Sequence, residues 1–160
     1  MTSVGQIEKR TQARVVRLFQ DQLGYDYLGN WIDRAGNANI EPVYLRPFLE
    51  AKGYAPALIT KAIAHLTKVA TDQSRSLFDI NRDVYELLRY GVKVKAEIGE
   101  NSQTVWLIDW ANPDANHFAI AEEVAVKPAS TEAAKAYGKR PDVVLYVNGI
   151  ALGVLELKRS

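Results

Sequence analysis

Residues 140–158 read RPDVVLYVNGIALGVLELK, and the reading of the fold turns on them. Two aliphatic runs, VVLYV and IALGVLEL, flank Asn148-Gly149. That dipeptide tolerates the positive φ of a tight turn and is the strongest short-range signal of a β-hairpin. The charges Asp142, Glu156 and Lys158 fall at the far ends of the hairpin. Because side chains alternate along a strand, Glu156 and Lys158 share a face. The direction of Asp142 depends on the pairing. With a simple two-residue loop, Val147 faces Ile150, and Asp142 comes out on the face opposite Glu156. With a three-residue turn and Gly149 in a left-handed bulge, the parity shifts by one and all three charges share a face. A shared site therefore predicts a bulge, at the turn or elsewhere in the pair.

Upstream, apolar residues from Gln6 to Leu23 recur at mostly helical spacing and Gly24 closes the run, which predicts an amphipathic helix. A short extended piece and a loop follow in YDYLGNWIDRAGNANIEPVY. Helices are expected over Tyr44–Ala51, over Pro56–Ala70 with Pro56 in its first turn, and over Asn81–Tyr90 with Gly91 behind it. After Gly91 the period changes. VKVKAEI (92–98) alternates, TVWLIDW (104–110) is β-branched and aromatic, and FAIAEEVAV (118–126) is a third strand candidate. KPASTEAAKAYGKR (127–140) reads as a loop with at most a helical turn. The expectation is one domain over residues 1–160, of α+β class, with a helical N-terminal half and a sheet-building C-terminal half.

Composition narrows the chemistry. Twenty Lys+Arg against nineteen Asp+Glu leave a net charge of +1, so any nucleic-acid surface must be local. There is no cysteine, and His65 and His117 are the only histidines, which excludes a disulfide framework and thiolate metal sites and argues against zinc. No apolar run approaches the roughly 20 residues of a membrane span, and the N-terminus lacks a signal-like core, so no membrane partner and a cytoplasmic location are expected.

Two carboxylates and an ammonium at one end of a sheet suit a hard, oxygen-seeking ion such as Mg2+, which keeps waters and takes one or two carboxylates. Such an ion delivers an activated water to a phosphodiester, and the lysine orients that water or offsets charge on the phosphorus oxygens. The plain structural alternative is an exposed Glu156/Lys158 ion pair and a strand-start Asp142 after Pro141.

RPDVVLYVNGIALGVLELK resembles the PD-(D/E)xK nuclease signature, with Pro141-Asp142 as its first half and Glu156-Leu157-Lys158 as its second. TQARVVRLFQDQLGYDYLGNW, LLRYGVKV, LIDWANPDANHFAIAEE and RPDVVLYVNG together resemble, in order, the N-terminal part of the restriction (R, motor) subunit of type I restriction-modification enzymes. That resemblance implies a restriction-endonuclease-like mixed sheet flanked by helices, with the hairpin central. It implies Asp142, Glu156 and the backbone carbonyl of Leu157 as ligands of Mg2+, with Mn2+ as a substitute, and Lys158 as the catalytic lysine. A third ligand from the first helix falls on Glu8 or Gln12. The implied activity is endonucleolytic hydrolysis of double-stranded DNA after ATP-driven translocation, with ATP bound only by motor domains outside this stretch. The implied partners are modification (methyltransferase) and specificity subunits.

The family's downstream Gln-x-x-x-Tyr element is not reached by Ser160, and no GxxxxGK[ST] loop is present, so a fragment with weak or no cleavage of its own is expected. A rival reading is a non-catalytic docking or DNA-guiding domain of a multisubunit complex. A third is a stand-alone nuclease of the same superfamily. Lys127, Lys135, Lys139, Arg140 and Arg159 are candidate phosphate contacts, of which Lys139, Arg140 and Arg159 lie nearest the acids in sequence. Asp109 and Asp114 read as turn residues around Pro113, His117 as a loop or strand-edge residue, and Trp31, Trp106 and Trp110 as packing aromatics.

Overall fold

The computed structural model describes residues 3–125 and 140–158. They fall into two compact units, one of residues up to Glu41 and from His117 onward, the other Pro42–Asn116. The fold class is α+β, as expected.

In the first unit, helix α1 (Ser3–Asp21) is followed by β1 (Asp26–Asn30), and the chain returns as β4 (Phe118–Glu122), β5 (Val143–Val147) and β6 (Ile150–Leu155). The sheet order is β1-β4-β5-β6, with β1 parallel to β4 and the other neighbours antiparallel. The resemblance implied a central hairpin. Among the described residues β5 is interior, and β6 is the last strand. Near the turn its outer side is met by the segment before α2, through an Ile40–Ile150 bridge and an Ala151 N–H to Asn39 carbonyl bond of 2.8 Å.

α1 lies on one sheet face, where Val16 packs with Ile120 and Val143, joined by Phe19, Tyr25, Leu145 and Leu155. Ile120 and Val143 are wholly buried, and burying a side chain of this size contributes about 1.5–3 kcal/mol. On the other face the buried Tyr146 ring meets Trp31, with centroids 5.5 Å apart. Glu41 is 4% exposed, yet it is matched by a two-pronged Arg34 guanidinium at 2.8 Å on each oxygen and by the Ala38 N–H at 3.0 Å. A buried carboxylate persists only with such partners.

The second unit holds α2 (Pro42–Ala51), α3 (Pro56–Ala70), α4 (Leu77–Tyr90), the strand pair β2 (Val92–Val94) and β3 (Gln103–Val105), and a 3-10 turn at Pro113–Ala115. Leu45, Leu49, Ile59, Leu66, Val92, Val105 and Leu107 form its fully buried interior. α4 starts four residues before the expected Asn81, because Ser76 caps it by accepting the Asp79 N–H. The strands are shorter than VKVKAEI and TVWLIDW suggested. The Lys61 ammonium takes the Lys95 and Ala96 carbonyls at 2.9 and 2.6 Å, where β2 stops. Beyond Val105 the Trp106 N–H goes to the Tyr54 hydroxyl and the Asp109 N–H to the Asn116 side chain, so side chains take over from the ladder. Within FAIAEEVAV the strand runs from Phe118 to Glu122, and Val126 lies outside the described residues. The proposed loop from Lys127 to Lys139 lies outside the described residues. No helix among the described residues is long and apolar enough to cross a membrane.

Candidate active site

The turn of the hairpin is the two-residue form. Val147 pairs with Ile150, and Asn148 and Gly149 take φ of 50° and 78°. By itself this turn sends Asp142 and Glu156 to opposite faces. The register then shifts. Tyr146 pairs with Ala151 but Leu145 pairs with Gly153, leaving Leu152 as the extra residue of a bulge, 48% exposed. Glycine suits its position opposite Leu145, since a Cβ at 153 would lie 3.0 Å from Leu145 Cδ1. Past the bulge Val144 pairs with Val154 and Val143 with Leu155. Continuing that register by one residue sets Asp142 opposite Glu156, and residues directly opposite share a face. The bulge that a shared face required is present, at Leu152 rather than at the turn.

Beyond β6, the Leu157 N–H donates to the Asp142 carboxylate (Oδ2) at 2.6 Å, so the continuing chain stays beside Asp142. Leu157 is half-buried, and Glu156 and Lys158 on either side of it are exposed. Val143 and Leu155 pack toward α1, so alternation turns Asp142 and Glu156 to the opposite face.

α1 nevertheless reaches the Asp142 backbone. Gln12 Nε2 donates to the Asp142 carbonyl at 3.4 Å, and lies 2.9 Å from Glu122 Oε1 and 3.3 Å from Glu123 Oε1. The Glu123 N–H also donates to the Asp142 carbonyl, at 3.0 Å. Glu123 adopts this position with φ of 54°, a left-handed conformation uncommon for a residue with a side chain. Its carboxylate accepts from Arg140 Nε at 2.6 Å, and that of Glu122 accepts from the Tyr27 hydroxyl. Burial, reinforced by the Glu122 carboxylate, pushes the Tyr27 phenol up to about 12. Gln12 thus acts as an amide donor beneath the Asp142 peptide, and Glu8 is exposed one turn away. Among the described residues no group of three or more His, Cys, Asp or Glu side chains forms a metal-holding cluster. Two opposed carboxylates beside a peptide are oxygen donors of the number and hardness that Mg2+ takes when it keeps several waters.

The other candidates are dispersed. Arg140 faces Glu123, whereas Lys139 and Arg159 lie outside the described residues. His117 meets Asp26 at 2.7 Å at the strand edge. Asp109 accepts the Ala111 and Asn112 N–H groups at 3.1 and 2.9 Å, as a turn residue does. The sequence reading passed over Glu122 and Glu123. The acidic doublet closing FAIAEE was visible, but its place beside Asp142 follows from β4 pairing antiparallel with β5.

A sequence model of the family described as type I restriction enzyme R protein N terminus matches residues 6–160. This chain belongs to that family. Among curated relatives of this R-protein N-terminal domain, the putative type I restriction enzyme MjaIXP endonuclease subunit of Methanocaldococcus jannaschii is 30% identical over 115 residues. The type I restriction enzyme HindI endonuclease subunit of Haemophilus influenzae is 33% identical over 107 residues. The alignments cover 69% and 64% of this chain but 11% and 10% of the relatives, so the domain matches about a tenth of their length.

Proposed function

We propose that this domain is the Mg2+-dependent endonuclease of a type I restriction enzyme R subunit and hydrolyses phosphodiester bonds of double-stranded DNA. The observation that carries this reading is the Leu152 bulge, whose shift of register sets Asp142 opposite Glu156. Asp142, Glu156 and the Leu157 carbonyl would hold the ion, with Mn2+ as a substitute. When bound, Mg2+ supplies an activated water and offsets phosphate charge. Lys158 would orient the attacking water or donate to a phosphate oxygen, offsetting the charge that develops there. Gln12 and the Glu123 N–H hold the Asp142 peptide still, so that its carboxylate needs no reorganisation on binding. Site recognition and methylation belong to specificity and modification subunits of a cytoplasmic complex, and ATP-driven translocation belongs to motor domains.

Calorimetric titration of Mn2+ into the chain and into Asp142→Ala and Glu156→Ala, with circular dichroism as the folding control, tests the assignment. Binding by the parent and its loss in both folded variants is expected. A folded variant that binds as the parent does removes its residue from the ligand set, and retention by both overturns the site.

A further inference from the structure

The second unit has a cavity of about 290 Å³ that the proposed cleavage chemistry does not use. Its wall includes Trp106 and Trp110, 44% and 48% exposed, whereas Trp31 is 4% exposed. Tyr54 and Phe48 extend the aromatic lining. Indoles left half in water forgo burial, and clustered around a concavity they mark a binding surface.

Their hydrogen-bonding capacity is partly spent inside the unit. Trp110 Nε1 donates to the Leu88 carbonyl at 2.8 Å, which fixes the half-exposed ring in place. The Arg89 guanidinium stands 5.4 Å from the Trp110 ring centroid and makes no ion pair with a described residue. Lys52, in the same wall, is paired with Asp109, so that carboxylate is already neutralised. The cavity sits near the lower bound of small-ligand pockets, roughly 300–1,000 Å³, which is room for one planar group rather than a folded segment of chain. Aromatic faces beside an unpaired cation bind single-stranded nucleic acid through stacked bases and neutralised phosphates.

We infer that this cavity takes one unstacked base of single-stranded DNA, laid on Trp106 or Trp110 with its phosphate toward Arg89. The inference rests on the reading that the domain acts on DNA, yet it assigns a separate contact, specific for bases freed from a duplex.

The test is fluorescence polarisation of labelled oligothymidylate, and of a labelled duplex, with the intact chain and its Trp106→Ala, Trp110→Ala and Trp110→Phe variants. Removing a stacking platform should weaken oligothymidylate binding at least about fivefold, with duplex binding unchanged and the phenylalanine variant close to the parent. Folded alanine variants that both bind oligothymidylate as tightly as the parent overturn the inference. Should the alanine variants not fold, acrylamide quenching of the parent's own tryptophans decides. Saturating oligothymidylate must shield them, and unshielded indoles, or shielding by a proline-rich peptide in its place, sink the assignment. Asp142→Ala should leave oligothymidylate binding intact, so loss of the metal site and loss of the base site are read independently.

Discussion

Two hairpin-like pairs among the described residues carry similar signals in the sequence and differ in the structure. β5–β6 runs for five residues against six around Asn148-Gly149, whereas β2–β3 pairs only three against three across a connection from Lys95 to Ser102. The tight turn makes every following backbone group of β5 and β6 a neighbour at once, with sheet partners on both sides of β5. β2 and β3 have only each other, and side chains such as Lys61 and Tyr54 compete for their backbone groups and stop the ladder. Alternation therefore identifies a strand, and the supply of competing partners sets its length.

The register of β6 is where a single insertion should act most strongly. Inserting one alanine between Leu152 and Gly153 brings Leu155 opposite Asp142 and sends Glu156 to the other face, so Mn2+ binding by calorimetry should disappear. Deleting Leu152 is the opposite control. The remaining residues pair without interruption, Asp142 stays opposite Glu156, and binding should survive. Equal binding by both variants would mean that register does not build the site.

β2–β3 is more sensitive at its entry than along its length. Gly91 has φ of 77°, and a Cβ there would lie 2.5 Å from Thr104 Cγ2 and 3.1 Å from the Val105 carbonyl. Gly91→Ala should destabilise the chain by on the order of 2 kcal/mol, from the left-handed backbone and the clash together, measurable by urea denaturation. An unchanged midpoint would show that β2–β3 contributes little to stability.

The smallest effect is on pH. Tyr27 ionises at about 12 in the folded chain against 10.0 ordinarily, so the folded state holds the phenolic proton more tightly than the unfolded one. Its stabilising contribution is complete below pH 10 and is lost as the pH rises toward 12. Tyr27→Phe should flatten that part of the stability profile, followed by thermal unfolding across the alkaline range. A profile identical to the parent's would separate Tyr27 from the support of Glu122.

The elements that were legible early are those whose cause is local. Helix α3 came out at its expected bounds because Pro56 and the spacing of Leu58, Ile59, Ala62, Ile63 and Leu66 are all in its own sequence. α4 begins at Leu77, ahead of the periodic stretch, since Ser76 acts through a cap and not through periodicity. Trp106 and Trp110 read as packing residues, and their exposure depends on what the rest of the unit leaves uncovered.

At the candidate site, three features are already written in residues 140–158: a hairpin turning at Asn148-Gly149, acids at its two open ends, and a bulge demanded by any shared face. Those follow from turn chemistry and the two-residue period. Folding alone makes Leu152 the extra residue, brings Gln12 and the Glu123 N–H to the Asp142 carbonyl, and sets Arg140 against Glu123. Each depends on which strand and helix come to lie beside Asp142. Pairing partners far apart in the chain are chosen by the packing of Val16, Ile120, Val143 and Leu155 as a set, which no single stretch of sequence contains.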